Sequence, residues 1–100
     1  MREREIPFCS DADDRELERA IDQAVADSGL QVTMRASLRT FPGSVHWHVR
    51  RGRESGTLEI TFWPQQRRAW FTIHDGRQAE WIEKSMNALD EIIRRRTGDT

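Results

Sequence analysis

The sequence predicts a single α+β domain in which two helices cover one face of a four-stranded antiparallel sheet. Near both ends of the chain, apolar residues recur at i, i+3, i+4 and i+7, the spacing of a helix with one buried stripe. Through the middle they alternate with polar residues, as in strands with one buried face. Short segments that contain Gly or Pro separate the alternating runs and have the length of hairpin connections. The predicted order is therefore α-β-β-β-β-α, a two-layer sandwich with both helices on one face of a meander.

Length and composition set the domain organisation. The chain has 100 residues, which fits one domain over 1–100, with 1–9 as an N-terminal arm and 97–100 as a frayed tail. Cys9 is the only cysteine, so no internal disulfide can form and a reducing cytoplasm is favoured. The charged start is unlike a signal peptide, and no apolar run reaches the length of a membrane span. We expect a soluble cytoplasmic protein without membrane contact or cofactor.

The first helix is predicted at about residues 11–28. Ser10 followed by Asp13 resembles a capping box, and the acidic residues that follow suit the positive end of the helix dipole. Gly29 stands where a helix can end in a left-handed residue. The apolar residues form one stripe that faces the core: Leu17, Ala20, Ile21, Ala24 and Val25.

Four strands are predicted at about residues 31–41, 44–51, 57–63 and 67–74, because the apolar period changes to two. Pro42-Gly43 turns the chain after the first strand, and the segments RGRESG and PQQ close the two later hairpins. The buried side of the first strand is predicted to hold Val32, Met34, Ala36 and Leu38.

A second helix is predicted at about residues 77–95, after the last strand ends at Asp75-Gly76. Asp75 is a suitable N-cap, and the arginines at 94–96 suit the negative end of the helix dipole. Its apolar stripe, which completes the core, consists of Ile82, Met86, Leu89 and Ile93.

The last three strands each have an apolar and a polar side. The apolar side, which the helices are expected to cover, contains Val45, Trp47, Val49, Leu58, Ile60, Phe62, Ala69, Phe71 and Ile73. The other side, called the polar face below, contains His46, His48, Arg50, Glu59, Trp63, Arg68, Trp70 and His74. Four strands about 4.8 Å apart are as wide as two packed helices. No helix remains for the polar face, which we expect to be bare.

The turns predict the register across the polar face. Four cross-strand pairs follow: Arg39 with His46, His48 with Glu59, Thr61 with Trp70, and Trp63 with Arg68. Arg35 is also placed opposite Arg50, and two like charges in this position destabilise a sheet unless an anion or a stacking partner offsets them. The predicted face carries four Arg and three His against one Glu.

Charge is distributed unevenly along the chain. Residues 1–28 contain four Arg against nine acidic residues, whereas residues 29–77 contain eight Arg against three acidic residues. Although the net charge is only −1, this separation predicts a basic surface in the middle segment and an acidic surface on the first helix.

We expect the polar face to bind a partner through charged, imidazole and indole side chains. The candidate residues are Arg35, Arg39, His46, His48, Arg50, Trp63, Arg68, Trp70 and His74. Trp and Arg are enriched at the centres of protein interfaces, so we predict a non-catalytic module that forms a homodimer or contacts another protein. Outward indoles beside arginines also resemble surfaces that hold single-stranded nucleic acid, so binding of such an anionic ligand stays an alternative.

Catalysis and metal binding are not assigned to any residue. His46 and His48 near arginines resemble an acid–base pair, so a metal-independent nuclease is a further alternative, but no familiar catalytic motif is present. The same histidines and Glu59 have the donor atoms of a metal site, yet His74 lies beyond the third strand and no second acid is expected nearby. Glu59 is instead predicted to hold His48 as a charged cross-strand pair.

Overall fold

The computed structural model describes residues 1–98 and confirms the α+β class, with one strand more than predicted. The strands are β1 (Arg2–Glu5), β2 (Gln31–Ala36), β3 (Val45–Arg50), β4 (Leu58–Trp63) and β5 (Arg68–Ile73), and the helices are α1 (Asp14–Asp27) and α2 (Glu80–Arg96). A 3-10 turn, Pro64–Gln66, joins β4 to β5. All neighbouring strands are antiparallel, in the order β1-β5-β4-β3-β2.

The N-terminal segment, predicted as an arm over 1–9, contains the edge strand β1. It pairs with β5, where Arg4 lies opposite Phe71. Arg4 therefore points toward the helices, and it donates hydrogen bonds to Asn87 (2.8 Å) and Asp90 (3.1 Å) of α2. Its neighbours alternate in charge and give no apolar period, which is why the sequence predicts no strand there.

Both helices pack on the same face of the sheet, as predicted. The core joins the apolar stripes of α1 and α2 to the apolar side of β3, β4 and β5, and its largest fully buried side chains include Trp47, Phe62, Phe71, Leu17, Ile21, Leu58, Ile60, Ile82, Met86, Leu89 and Ile93. Two buried indoles also bind polar partners: Trp47 donates to Asp22 (2.8 Å) and Trp81 to the Ser55 carbonyl (2.8 Å). Within residues 1–98, neither helix has the length and apolar composition needed to cross a membrane.

The start of α1 differs from the prediction. The helix begins at Asp14, and Asp13 is its N-cap, because the Asp13 carboxylate accepts a hydrogen bond from the Glu16 N–H at 2.8 Å. Ser10 therefore lies before the helix and does not cap it.

Both ends of α2 also differ. Asp75 is not its N-cap, because the Asp75 carboxylate binds the N-terminal amine of Met1 at 2.7 Å, and Ala79 occupies the cap position. The predicted frayed tail is wrong at Thr97, a buried residue whose hydroxyl donates to the Ile93 carbonyl at 2.8 Å. Residues 99 and 100 of that tail lie outside the described residues.

Strand β2 is shorter than predicted, and its register differs. It ends at Ala36, which is exposed and lies opposite His46, the position predicted for Arg39. Residues 37–44 form a loop, so Pro42-Gly43 turns the chain without closing a tight hairpin. From Met34 to Ala36 the register is shifted by three residues, and an odd shift reverses the faces of a strand, whereas Val32 lies before an irregularity and stays on the side of Val49.

The reversed faces move two residues to the opposite side of β2. Met34 lies opposite His48 and is exposed, where the sequence predicts a core residue. Arg35 lies opposite Trp47 on the side of the helices, with its guanidinium 5.5 Å from the Trp47 ring centroid and 2.7 Å from Glu18 of α1. The predicted like-charge pair on the polar face therefore does not form.

The connection between β3 and β4 packs against the start of α2. Gly56 has a φ of +99°, and a Cβ there would lie 2.7 Å from the Ala79 Cβ and 3.1 Å from the Arg77 carbonyl oxygen. The next residue, Thr57, donates its N–H to the same Arg77 carbonyl at 3.0 Å. This contact holds the start of β4 and needs glycine both for its backbone angle and for its small size.

We predict that Gly56→Ala lowers the free energy of unfolding by about 2 kcal/mol or more, because it adds backbone strain and overpacking. Gly29→Ala is the matched control: Gly29 also has a positive φ of 71°, but no atom lies within 4 Å of an added Cβ. Only the strain of about 1 kcal/mol is expected there. Urea unfolding followed by circular dichroism measures both variants, and equal losses would contradict the role of the contact.

Candidate functional site: the polar face of the sheet

The register of β3, β4 and β5 on the polar face is confirmed. The cross-strand pairs are His46 with Thr61, His48 with Glu59, Thr61 with Trp70, and Trp63 with Arg68. The two outer strands add residues to this face by the same alternation: Glu3 and Glu5 from β1, and Met34 and Ala36 from β2. The glutamates of β1 make the face less basic than predicted.

The carboxylate of Glu59 occupies the centre of the polar face, and its side chain is only 9% exposed. Three imidazoles approach it. The Nε2 atoms of His46 and His48 lie 3.0 and 3.8 Å from Oε1, and the Nε2 atom of His74 lies 3.1 Å from Oε2. Within residues 1–98, these histidines are the only ion-pair partners of Glu59, so no arginine or lysine neutralises it.

The pleat of the strands explains this convergence. His48 is the direct cross-strand neighbour of Glu59, whereas His46 and His74 reach it from diagonal positions. His46 is buried, its Nδ1 lies 2.8 Å from the Thr61 Oγ1, and its ring packs edge-on against His48 with centroids 5.1 Å apart. The sequence predicts the His48–Glu59 pair but misses the two shorter contacts.

Burial lowers the pKa of His46 below its ordinary value of 6.5, because the imidazolium form loses solvation. The negative charge of Glu59 opposes this effect, and positive charge on His48 adds to it. His46 is therefore neutral near pH 7. Both of its ring nitrogens have partners when Nε2–H donates to Glu59 and Nδ1 accepts from the Thr61 hydroxyl.

The loop over residues 37–44 covers the two indoles of the polar face. Phe41 packs edge-on against Trp63 and Trp70, with centroid distances of 4.9 and 5.1 Å. The Arg68 guanidinium lies 4.7 Å from the Trp70 ring centroid. Trp70 is consequently only 4% exposed, so the prediction of an outward indole is wrong for this residue, while Trp63 is half-buried.

The acidic N-terminal segment and the basic middle segment bind each other in the fold. Ion pairs connect them: Arg68 with Glu5, Arg67 with Asp14, and Arg35 with both Glu18 and Asp22. The predicted separation of charge is thus largely used in contacts within the chain, and these arginines are not free to attract an anionic partner.

The structure brings only part of the candidate set together. The three histidines converge on Glu59, and Trp63, Trp70 and Arg68 form a second cluster with Phe41. Arg50 is exposed at the end of β3 and donates to the Glu54 carbonyl at 3.2 Å. Arg39 is exposed in the loop, and Arg35 lies on the side of the helices.

Comparison of the chain with protein-family models, with curated proteins and with solved structures found no match.

We predict a pH dependence of stability that comes from His46. Since its pKa is lowered by folding, the unfolded chain binds a proton near pH 6.5 that the folded protein takes up only at lower pH. The contribution of His46 to the free energy of unfolding is complete above about pH 6.5. It decreases as the pH falls through the folded pKa, by at most about 1.4 kcal/mol per pH unit. The variant His46→Gln lacks it.

Urea unfolding of the wild type and of His46→Gln between about pH 7 and about pH 5, with EDTA present, measures this difference. The wild type is expected to lose more stability than the variant over that interval. Parallel stability curves would contradict the assignment of a lowered pKa to His46.

Proposed function

We propose that the protein is a small non-catalytic binding module that pairs with a second copy of itself along β2 and the adjoining part of the polar face. One observation carries this proposal: on this edge strand, Val32 is 40% exposed and Met34 is 41% exposed. Within residues 1–98, β2 pairs with β3 on one side and with no strand on the other. Exposed apolar side chains on a free strand edge favour association with another chain.

The two edges of the sheet differ, and the difference supports β2 as the contact. The edge strand β1 has the sequence RERE, and charged side chains on an edge oppose strand addition. In β2 the only charged residue is Arg35, which lies 2.7 Å from Glu18 and 3.8 Å from Asp22. The one charge of this edge is therefore already neutralised within the chain and does not oppose the approach of a second copy.

A β-bulge between Val32 and Met34 interrupts the regular ladder of β2. We therefore expect backbone pairing with the second copy along residues 34–36, with Met34 packing against the partner on the polar face and Val32 on the side of the helices. A stable dimer buries at least about 1,000 Å² in total. Neighbouring residues of the polar face, such as His48 and Arg50, are expected to contribute to that area.

Binding of single-stranded nucleic acid has less support than protein contact. A base needs an open aromatic ring face, but Trp70 lies beneath Phe41 and Arg68. Phosphates need free cations, but two of the four candidate arginines, Arg35 and Arg68, are paired with carboxylates.

A metal-independent nuclease also has less support. The Nε2 atoms of His46 and His74 contact Glu59, so they are not directed at solvent, where a phosphodiester would bind.

A cytoplasmic location is part of the proposal, because a lone free thiol at Cys9 suits a reducing compartment.

The test is the oligomeric state of the wild type and of Met34→Glu, measured by light scattering over a range of protein concentrations with EDTA present. We expect a wild-type dimer and a dissociation constant at least about 10-fold weaker for Met34→Glu, since a buried, unpaired carboxylate is costly. Ala88→Glu is the control, because it adds the same charge at an exposed position of α2.

Two results would contradict this proposal: a wild type that is monomeric throughout, or equal dimerisation of Met34→Glu and the wild type. A parallel titration with a labelled single-stranded oligonucleotide tests the alternative. Binding at low salt that falls steeply as salt is raised would favour nucleic acid over the dimer as the function of this face.

A further inference from the structure

The side chains around Glu59 bring together donor atoms that could bind a metal ion. The proposed dimer contact does not depend on them. His46, His48 and Glu59 each offer one ligand atom, and these atoms all lie within 4.8 Å of one another. His74 brings a fourth donor, with its Nε2 3.1 Å from the Glu59 Oε2. Imidazole nitrogen together with carboxylate oxygen suits Zn²⁺ and related transition-metal ions, whereas Ca²⁺ and Mg²⁺ prefer sites made of oxygen.

We propose that His46, His48 and Glu59 bind Zn²⁺, with His74 as the fourth ligand. Ligand atoms about 2.0 to 2.2 Å from a tetrahedral zinc ion lie about 3.3 Å from one another. The Nε2 atoms of His46 and His48 lie 3.0 and 3.8 Å from the same oxygen, Oε1 of Glu59, so these three donor atoms are already close to the spacing that a zinc ion requires. The Nε2 atom of His74 lies 3.1 Å from the other oxygen, Oε2, so His74 joins the set from the far side of the carboxylate.

The charge at the centre of the polar face also favours a cation. Glu59 is buried, and in the part of the chain that the structure describes its ion-pair partners are imidazoles, with no permanently charged residue among them. A buried carboxylate without a full counter-charge is costly. A divalent ion supplies that charge, and one carboxylate with three neutral imidazoles leaves the loaded site with a net charge of +1.

The donor atoms have the surroundings that metal ligands usually have in proteins, namely an outer hydrogen bond and shielding from water. The Nδ1 of His46 lies 2.8 Å from the Thr61 Oγ1. When zinc displaces the proton from Nε2, the ring takes the other tautomer, in which Nδ1–H donates to the Thr61 hydroxyl and the unprotonated Nε2 binds the ion. The side chains of His46 and Glu59 are shielded from water, whereas that of His74 is 46% exposed and leaves a route for entry.

The position of the ligands indicates what the ion does. They belong to β3, to β4 and to the residue that follows β5, so one ion connects three strands. Four protein ligands fill a tetrahedral zinc site and leave no open position for a substrate. We therefore assign the ion to holding the polar face together, and not to catalysis.

The first experiment uses the full chain after removal of metal with EDTA and dialysis. Isothermal titration with Zn²⁺ is expected to give one ion per chain. Differential scanning calorimetry is expected to show a melting temperature raised by at least about 10 °C when free Zn²⁺ is about 100 times the dissociation constant. Absence of binding, or binding without a rise in melting temperature, would overturn the proposal.

Variants then test the ligands. Because outer-shell changes alone cost about 10- to 100-fold in metal affinity, we expect His48→Asn and Glu59→Gln to weaken Zn²⁺ binding by at least about 100-fold, and His74→Ala by at least about 10-fold. Glu91→Gln is the matched control, because Glu91 is an exposed glutamate of α2. Unchanged affinity in His48→Asn and Glu59→Gln would overturn the site, and unchanged affinity in His74→Ala would overturn the fourth ligand.

A measurement on the wild type keeps the test decisive if a variant does not fold. Co²⁺ in place of Zn²⁺ is expected to give the intense visible absorption of four-coordinate geometry, whereas the weak bands of six-coordinate Co²⁺ would overturn the proposal. The metal site does not rest on the proposed function, because the dimer is measured with EDTA present. Each can therefore fail without the other.

Discussion

The length of helix in this chain limits the fold to one covered face of the sheet. Helices α1 and α2 bury the apolar side of β3, β4 and β5, and residues 1–98 contain no further helix for the other side. The polar groups of that side must therefore find partners among its own side chains and the neighbouring loop. Phe41 and Arg68 cover the ring of Trp70, and three imidazoles surround the carboxylate of Glu59.

The buried carboxylate of Glu59 determines how the side chains at the centre of the polar face are arranged. A carboxylate at the middle of a sheet is tolerated only with hydrogen-bond donors or counter-charge close by, and three imidazoles, two from β3 and one from the residue after β5, approach Glu59. The remaining charges of the face are largely balanced by the fold itself, as Arg68 binds Glu5. Two exposed apolar residues, Val32 and Met34, lie on the edge strand β2, where we propose association with a second copy. The donor atoms of His46, His48 and Glu59 lie at the centre of the polar face, where we propose a metal ion.

The sequence predicts this structure best where the connections are short. The register of β3, β4 and β5, including His48 opposite Glu59, follows from period and turns. The alternation of apolar and polar residues continues past Ala36 into the loop 37–44, so the local sequence does not mark the end of β2. The loop depends instead on the packing of Phe41 against Trp63 and Trp70, which are distant in sequence. β1 has no apolar period, since its pairing depends on the free edge of β5. The contact of His74 with Glu59 is diagonal, and directly opposed pairs do not reveal it.

The central claim is that one carboxylate binds three imidazoles at once. The most direct test is the side-chain ¹H–¹⁵N spectrum of the histidines in the wild type and in Glu59→Gln, recorded on metal-free protein. We predict that the ring signals of His46, His48 and His74 all change together, because each has a nitrogen in contact with the carboxylate. A change confined to His48, the direct cross-strand neighbour of Glu59, would contradict the claim.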